Sequence, residues 1–414
     1  MPGRRAQHGG VDELSVLIAG GGVAALEAAL TLAEVAEGRA RVELLAPEPL
    51  FWYRPASVAE PFGLGTVRHF DLGMLAARAG AGMTLGALAG VDADRRLART
   101  ATGATLSYDA LLIACGAQPT VAVPGALTFR GPADGPRLRA LVEELEQGAF
   151  ERVAFAVPSG SAWPLPAYEL ALMTACRLAT AGMGRSEVVL VTPEPRPLHL
   201  FGRGASDAVG RLLSEAGVVF VGGVDPIGHT AGELVLADGA IPADRVVALP
   251  RLRGPRIDGV VQTPDGFIAV DDHCAVLGDD CLFAAGDITA FTIKQGGIAT
   301  QQAVAAAEAI AVLAGATLVP RPFRPVLRGL LLTGGQPTYL RHDLAEAGDG
   351  DWASGAPIWW PPTKIVGRRL SPFLAEVAGE SDGRGAALPP QDGVAVEIPI
   401  GQEQADTLSV GLGF

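Results

Sequence analysis

The apolar positions of this chain come as short unbroken runs followed by longer, alanine-rich runs, with glycines at the junctions. Leu14 to Ala19 (LSVLIA) is the first short run, Gly20-Gly21-Gly22 the junction, and Val23 to Glu37 the longer run behind it. An unbroken apolar run of this length suits a strand covered on both faces, and the longer run suits a helix. The same reading predicts strands at Arg41 to Ala46, Arg152 to Val157, Glu187 to Thr192 and Leu282 to Ala285. It predicts helices at Ala167 to Ala181 and Gly296 to Ala311. Pro119, Pro124 and Gly125 mark a linker, and a second strand–helix unit starts near Phe129.

Two junctions carry candidate chemistry. Gly20-Gly21-Gly22-Val23-Ala24-Ala25 is Gly-x-Gly-x-x-Ala between a strand and a helix, the context in which a dinucleotide pyrophosphate meets a helix N-terminus. Gly20 permits the tight turn, Gly22 lets the pyrophosphate approach the backbone, and Ala25 lets the helix pack close to the strand. The second junction lies in residues 282–303, LFAAGDITAFTIKQGGIATQQA. Gly286-Asp287 ends the strand with a residue lacking Cβ and a carboxylate able to accept hydrogen bonds from ligand hydroxyls. Lys294 stands ahead of a helix opened by two glycines, whose N–H groups and positive end face the same loop. A carboxylate at one end and a lysine with a helix end at the other could hold a long ligand with a hydroxylated middle and an electron-rich head. FAD has that shape; an ordinary strand–turn–helix is the alternative.

The 282–303 stretch resembles the second FAD motif of flavoproteins built from two dinucleotide-binding folds, in the branch of type II NADH dehydrogenases and sulfide:quinone oxidoreductases. The shared pattern is an apolar strand, Gly-Asp, a loop, and a helix with Ala-x-Gln-Gln, here Gly286-Asp287 and Ala299-Thr300-Gln301-Gln302. The resemblance covers roughly residues 14 to 375. It implies an α/β fold of two Rossmann-like dinucleotide-binding domains plus a small C-terminal α+β domain. The FAD domain would be discontinuous, 1–122 and 251–325, with an NAD(P)-binding-like domain at 123–250 and a cap or interface domain at 326–414. It implies non-covalent FAD on Gly20, Gly22, Ala25, Gly286 and Asp287, with Lys294 and Gln295 at the helix end facing the isoalloxazine. Gln301, in the helix that the family points at flavin and quinone, joins Lys294 and Glu169 as a candidate catalytic side chain.

Other expected contacts are less standard. The acid that binds the adenosine ribose usually ends the second strand; here Ala46 stands there, Glu48 follows in the loop, and Glu43 lies within the strand. Phe51-Trp52-Tyr53-Arg54-Pro55 resembles an aromatic-Arg-Pro loop near the flavin, which assigns Arg54 to the cofactor; packing of the aromatics on the core is the alternative. The strand leading to Ala114-Cys115-Gly116-Ala117 resembles the one ending in Ala-Thr-Gly, where the chain passes the FAD, with Cys115 replacing Thr. Its neighbours are small and no partner cysteine is near in sequence, so Cys115 is expected to touch the cofactor rather than to react.

In the second unit, placing Glu169 on the family's Gly-x-Gly-x-x-Gly…Val-Glu pattern puts Ala162, Pro164 and Ala167 where glycines belong. Three prolines in residues 158–166 remove N–H donors, and Trp163 is bulky where a phosphate would sit. An impaired NAD(P)H loop is expected. In the sulfide:quinone branch a cysteine precedes Pro-Ala-Tyr-Glu; Trp163 takes that slot before Pro166-Ala167-Tyr168-Glu169, so sulfide chemistry is not expected either. In the family the matching Glu faces the flavin, where it could pair with a lysine or manage protons. A helix-start carboxylate favoured by the macrodipole is the alternative.

Bulk properties narrow the class. The 414 residues are 49% hydrophobic and 19% charged, enough for two or three folded domains. A net charge of −13 argues against nucleic acid and against simple attraction to anionic lipid. No run of eighteen apolar residues is seen, the N-terminus MPGRRAQHGG reads as a lead and not as a signal peptide, and four cysteines without CxxC suit reduced thiols in a cytosol. No metal site is expected. Leu327 to Gly335 reads as an apolar strand and turn, and Val394 to Ile400 as a short strand. Trp352, Trp359 and Trp360 precede Pro361-Pro362-Thr363-Lys364, also similar to this branch, whose C-terminal domain covers the flavin, forms dimers or touches the membrane. The partners expected are therefore a small electron donor and acceptor, a quinone among them, with a homodimer and a peripheral membrane contact as further readings.

Overall fold

The computed structural model describes residues 13–183, 186–344 and 351–379. The expected N-terminal lead and the strand expected at Val394 to Ile400 lie outside them. The first sheet has five parallel strands in the order Leu282–Ala284, Ala110–Ile113, Leu14–Ala19, Ala40–Ala46, Gly82–Leu85. Its central strand explains the unbroken apolar run. Val16 and Ile18 pack under the Val23–Val35 helix, while Leu17 and Ala19 pack on the opposite face with Leu45, Val91 and Leu111. Alanines line the contact between this helix and Gly296–Leu313: Ala24, Ala25 and Ala28 share one core with Ala299, Ala303 and Ala306. Side chains this small let two helix backbones lie close, and the 282–284 strand is set beside the first strand unit although it comes late in sequence.

The second sheet is also five-stranded and parallel, in the order Leu127–Thr128, Arg245–Ala248, Arg152–Ala156, Glu187–Thr192, Val218–Gly222. The Leu165–Thr180 helix packs on it through Tyr168, Leu170 and Leu172. Between the sheets the expected linker is structured: Gln118–Thr120 pairs antiparallel with Arg251–Arg253, Pro119 opposite Leu252. Outgoing and returning chain thus cross together as a two-stranded ribbon.

A third, antiparallel sheet follows, Val326–Leu331, Thr338–Asp343 and Asp351–Ser354, then a helix at Leu370–Val377. Three side chains staple its first strand to the rest. Gln301 bonds Val326 N–H and C=O, Gln295 donates to Arg328 C=O, and Glu169 accepts from Leu332 N–H. The C-terminal helix is anchored by Glu27 of the first helix, fully buried, which accepts from Arg369 and Leu370 N–H at 2.9 and 2.8 Å. Among the described residues one helix, Gly296–Leu313, is long and apolar enough to cross a membrane, but 67% of it is buried inside the protein.

Candidate active site

The first strand–helix junction is shaped for a ligand. Gly20 sits at φ +147°, and a Cβ there would stand 2.2 Å from Ala114 C=O. That close approach is what brings the Cys115-Gly116-Ala117 turn against the first loop. A Cβ on Gly22 or Gly116 would meet nothing within 4 Å, so open space lies against both backbones. Gly22 caps the first helix without any side-chain hydrogen bond, leaving the helix end to an incoming anion. Ala25 is fully buried beneath it.

Gly286-Asp287 lies across from this junction. Gly286 N–H is held by the Gln302 side chain at 2.8 Å, so Gln302, which sequence reasoning did not single out, fixes the turn. Among the described residues nothing hydrogen-bonds the Asp287 carboxylate; only the charges of Lys294 and Arg54 reach it. Burial pushes its carboxyl above the ordinary range, and those two cations pull it back. A half-buried carboxylate without a donor fits the hydroxyls of a ribityl chain. Lys294 is 7% exposed, bonded to Thr289 C=O and placed 4.1 Å from the Phe267 ring centre. Burial lowers its ammonium to about 8, and Asp287 opposes that shift. Lys294 and Arg54 are thus both near enough for their charges to act on Asp287, where the sequence reading set Asp287 and Lys294 at opposite ends of a ligand.

Not every expected contact is available to a ligand. Gln295 caps the Gly296–Leu313 helix, accepting from Ile298 N–H at 2.9 Å. The Gln301 amide donates to Gly297 C=O and Val326 C=O and accepts from Val326 N–H, so it holds the third sheet and both its N–H groups are taken. Glu43 accepts from Thr84 Oγ1 at 2.7 Å and faces the Gly82–Leu85 strand; Glu48 is exposed at the strand's end. Cys115 donates to Ala19 C=O at 3.3 Å, and burial pushes its thiol up to about 12, which keeps it neutral and unreactive.

Glu169 is fully buried and paired. Lys364 Nζ reaches its two oxygens at 2.5 and 2.6 Å, and Leu332 N–H reaches Oε1 at 3.0 Å. Burial raises the carboxyl; the Lys364 charge and both hydrogen bonds oppose it. Lys364 is the partner of Glu169 that sequence reasoning did not assign. It had only the Pro-Pro-Thr-Lys pattern as a signal, 195 residues from its partner. Ile365, next to it, packs on Gly296, where a Cβ would stand 2.9 Å from the isoleucine side chain. Lys364 is thus next in the chain to a residue packed on the first turn of the Gly296–Leu313 helix. The three tryptophans diverge: Trp359 is buried against Tyr339 at 4.9 Å, Trp352 lies under Arg341, and Trp360 is 53% exposed.

In the 158–166 loop, Ser159 N–H is held by Asp225 at 2.8 Å, Ser161 N–H by Pro158 C=O, and Ala167 N–H by Pro164 C=O. Trp163 packs edge-on against Phe201 at 5.7 Å, and Ala162 C=O accepts from Lys294 N–H.

Two parallel dinucleotide-type sheets, an open glycine junction at a bare helix end and a facing Gly-Asp define a flavoprotein of the two-dinucleotide-fold class. The chain belongs to the pyridine nucleotide-disulphide oxidoreductase family, which matches residues 14–307. Among curated proteins it is similar to NADH dehydrogenase-like protein MT1860 of Mycobacterium tuberculosis (strain CDC 1551 / Oshkosh), 29% identical over 252 residues, 56% of this chain and 63% of that protein. NADH dehydrogenase-like protein Rv1812c of strain H37Rv matches over the same shares at 28%. The chain thus spans less than two thirds of these relatives' length. Among solved structures, the sulfide:quinone oxidoreductase of Aquifex aeolicus aligns with a TM-score of 0.75 at 20% identity, over 82% of this chain and 86% of that one. A ferredoxin reductase of Rhodopseudomonas palustris aligns at 0.58 and 21% identity, over 79% and 81%. At these identities the likeness is one of fold.

Proposed function

We propose that this protein takes electrons from a donor other than NAD(P)H and passes them through FAD to a quinone or a similar small organic acceptor. The observation that carries the reading is the closed 158–166 loop. A dinucleotide pyrophosphate needs free N–H groups at a helix N-terminus and no Cβ at its approach. Here the N–H groups of Ser159, Ser161 and Ala167 are already bonded, and Pro164 and Pro166 have none. The Asp225 carboxylate adds a negative charge beside the loop. Sulfide is not favoured as donor, because Trp163 stands where the persulfide-bearing cysteine would be.

For the acceptor, a cavity of about 320 Å³ lies between the aromatic loop and the C-terminal segment. Tyr53, Arg68, Phe70, Ile365, Leu370 and Leu374 line it, and Thr363 and Ile365 in its wall flank Lys364. That volume is at the lower end of the ~300–1,000 Å³ range of small-molecule sites, and its mostly apolar wall suits a quinone ring. Bound FAD supplies two-electron redox chemistry. The protein's part is to hold the cofactor at Asp287 and Lys294 and to keep a proton-bearing pair, Lys364 and Glu169, next to the acceptor wall. Reduction of a quinone to the quinol takes up two protons with its two electrons; the Lys364 ammonium can supply one of them without water, and the pair is then recharged from solvent.

The test is acceptor-driven oxidation. Holoprotein reduced anaerobically with dithionite should be reoxidised by decylubiquinone or menadione, and Leu374→Trp, which fills the cavity, should slow that step without loss of FAD. Reduced protein that no quinone reoxidises would instead favour a flavin-binding partner without turnover. The names of the curated relatives favour a second reading, an NADH dehydrogenase with an unusual loop; rapid reduction by NADH would select it.

A further inference from the structure

Tyr53, from the aromatic loop, lines the same cavity as Ile365 and Leu374. The strand Leu50–Trp52 pairs with His69–Asp71, and its alternation buries Phe51 and leaves Trp52 36% exposed. Tyr53 then turns back inward against the core of the first sheet. It is fixed at both ends: its N–H donates to Arg68 C=O at 2.8 Å, and its hydroxyl accepts from Ile365 N–H at 3.0 Å. Burial raises its phenol above the ordinary 10.0, against the pull of Ile365 N–H, the Thr363 hydroxyl and Lys364 N–H, so Tyr53 keeps its proton at neutral pH. Other hydroxyls of the wall are committed. Thr363 and Ser371 each donate to Ile365 C=O at 2.8 Å, and Ser371 also accepts from Gly367 N–H. Thr66 is exposed. No described residue accepts a hydrogen bond from Tyr53, whose oxygen is already an acceptor. A phenol so placed has its donor side left for a ligand.

We propose that Tyr53 is a catalytic residue, donating a hydrogen bond from its hydroxyl to a carbonyl oxygen of the acceptor held in this cavity. The proposal rests on the quinone reading above and adds the group that receives the acceptor. A quinone gains negative charge on its oxygens as electrons arrive. A fixed neutral donor in an apolar wall stabilises that charge more than it stabilises the neutral ring. The hydrogen bond from Ile365 N–H to the same phenol oxygen strengthens Tyr53 as a donor, because linked hydrogen bonds polarise one another. Tyr53 keeps its own proton throughout. Two electrons come from the reduced flavin, one proton from Lys364 and the second from solvent, which completes the quinol. Ile365 also joins the two roles, since it follows Lys364 in the chain and holds the phenol by its N–H.

The test compares the parent with Tyr53→Phe, each loaded with FAD, reduced anaerobically with dithionite and mixed rapidly with menadione or with ferricyanide. Menadione offers carbonyl oxygens to the cavity; ferricyanide takes single electrons without protons and has no carbonyl. Tyr53→Phe should be reoxidised by menadione about a hundredfold more slowly, the order seen when one oxyanion donor is removed, with ferricyanide rates within about twofold of the parent. A second readout needs no turnover. Oxidised menadione bound to the parent should show a lowered carbonyl stretch in the infrared difference spectrum, and Tyr53→Phe should restore it; the parent's spectrum alone answers should the variant fail to fold. Unchanged menadione rates in Tyr53→Phe, or an unshifted carbonyl band in the parent, overturn this proposal and leave the quinone reading standing. Equal slowing by both oxidants would give Tyr53 a role only in holding the loop, and also overturns it. Reduced parent protein that menadione does not reoxidise overturns the quinone reading and this proposal with it.

Discussion

Removing the ammonium of Lys364 while keeping its length, as Lys364→Met, isolates what the buried ion pair contributes. Glu169 is fully buried, and without Lys364 it keeps one hydrogen bond, from Leu332 N–H. Leaving a buried charge without its partner costs about 3–5 kcal/mol. The carboxyl can escape that cost only by binding a proton, so its folded-state pKa rises further above the ordinary 4.5. The sign follows from linkage. A carboxyl raised in the folded state is equally protonated folded and unfolded at low pH, whereas above 4.5 the unfolded chain ionises and folding loses ground. The deficit of Lys364→Met should thus be small near pH 4, grow as pH rises, and level off once the folded-state pKa is passed. Urea unfolding at about pH 5 and about pH 8 should show the variant weaker by about 3 kcal/mol at the higher pH. Glu169→Gln/Lys364→Met, with no charge left to bury, should regain most of that loss while still failing in turnover. Losses that add in the double variant, or a deficit independent of pH, would refute the reasoning.

Three further outcomes are expected. Asp287→Ala should purify folded but largely free of FAD, since each charge-assisted hydrogen bond to that carboxylate is worth about 1.5–3 kcal/mol; full flavin occupancy contradicts this. Gly20→Ala places a Cβ 2.2 Å from Ala114 C=O at φ +147°, and calorimetry should show a lowered unfolding temperature, whereas an unchanged one would mean the loop is not packed as described. In the apoprotein, Lys294→Met should be more stable than the parent at neutral pH, because burial depresses the lysine from 10.5 to about 8 and penalises its charged form. That advantage should shrink as pH rises from about 8 towards 10.5, and a gap that stays constant would show that Lys294 does not titrate there.

The parts of this site legible in the sequence are those made by neighbours in the chain. Gly20, Gly22 and Ala25 lie on one junction, Gly286, Asp287 and Lys294 on another, and each carries its own spacing. Strands such as Leu14–Ala19 could be read because they are buried on both faces, so Val16 to Ala19 are all apolar. What sequence could not supply were pairings between distant segments. Glu169 finds Lys364 only when the third region folds over the second, and Gln301 turns to Val326 because that strand arrives beside it. The motif containing Gln301 was visible, but which way each of its two glutamines would face depended on a strand 25 residues on; Gln302 holds Gly286 and Gln301 holds Val326. Pro119, Pro124 and Gly125 likewise read only as a linker, yet Gln118–Thr120 pairs with Arg251–Arg253, since a proline is tolerated in a two-stranded ribbon.

The identity of the donor is the claim on which the account turns, and anaerobic rapid mixing of the FAD-loaded protein with NADH addresses it directly. With the 158–166 loop closed on itself, NADH, NADPH and sulfide should each bleach the flavin far more slowly than a typical turnover of about 10 per second, while dithionite bleaches it fully. Complete bleaching within about a second at about millimolar NADH would contradict the reading, and would mean that Trp163 swings clear and the loop opens to admit a pyrophosphate.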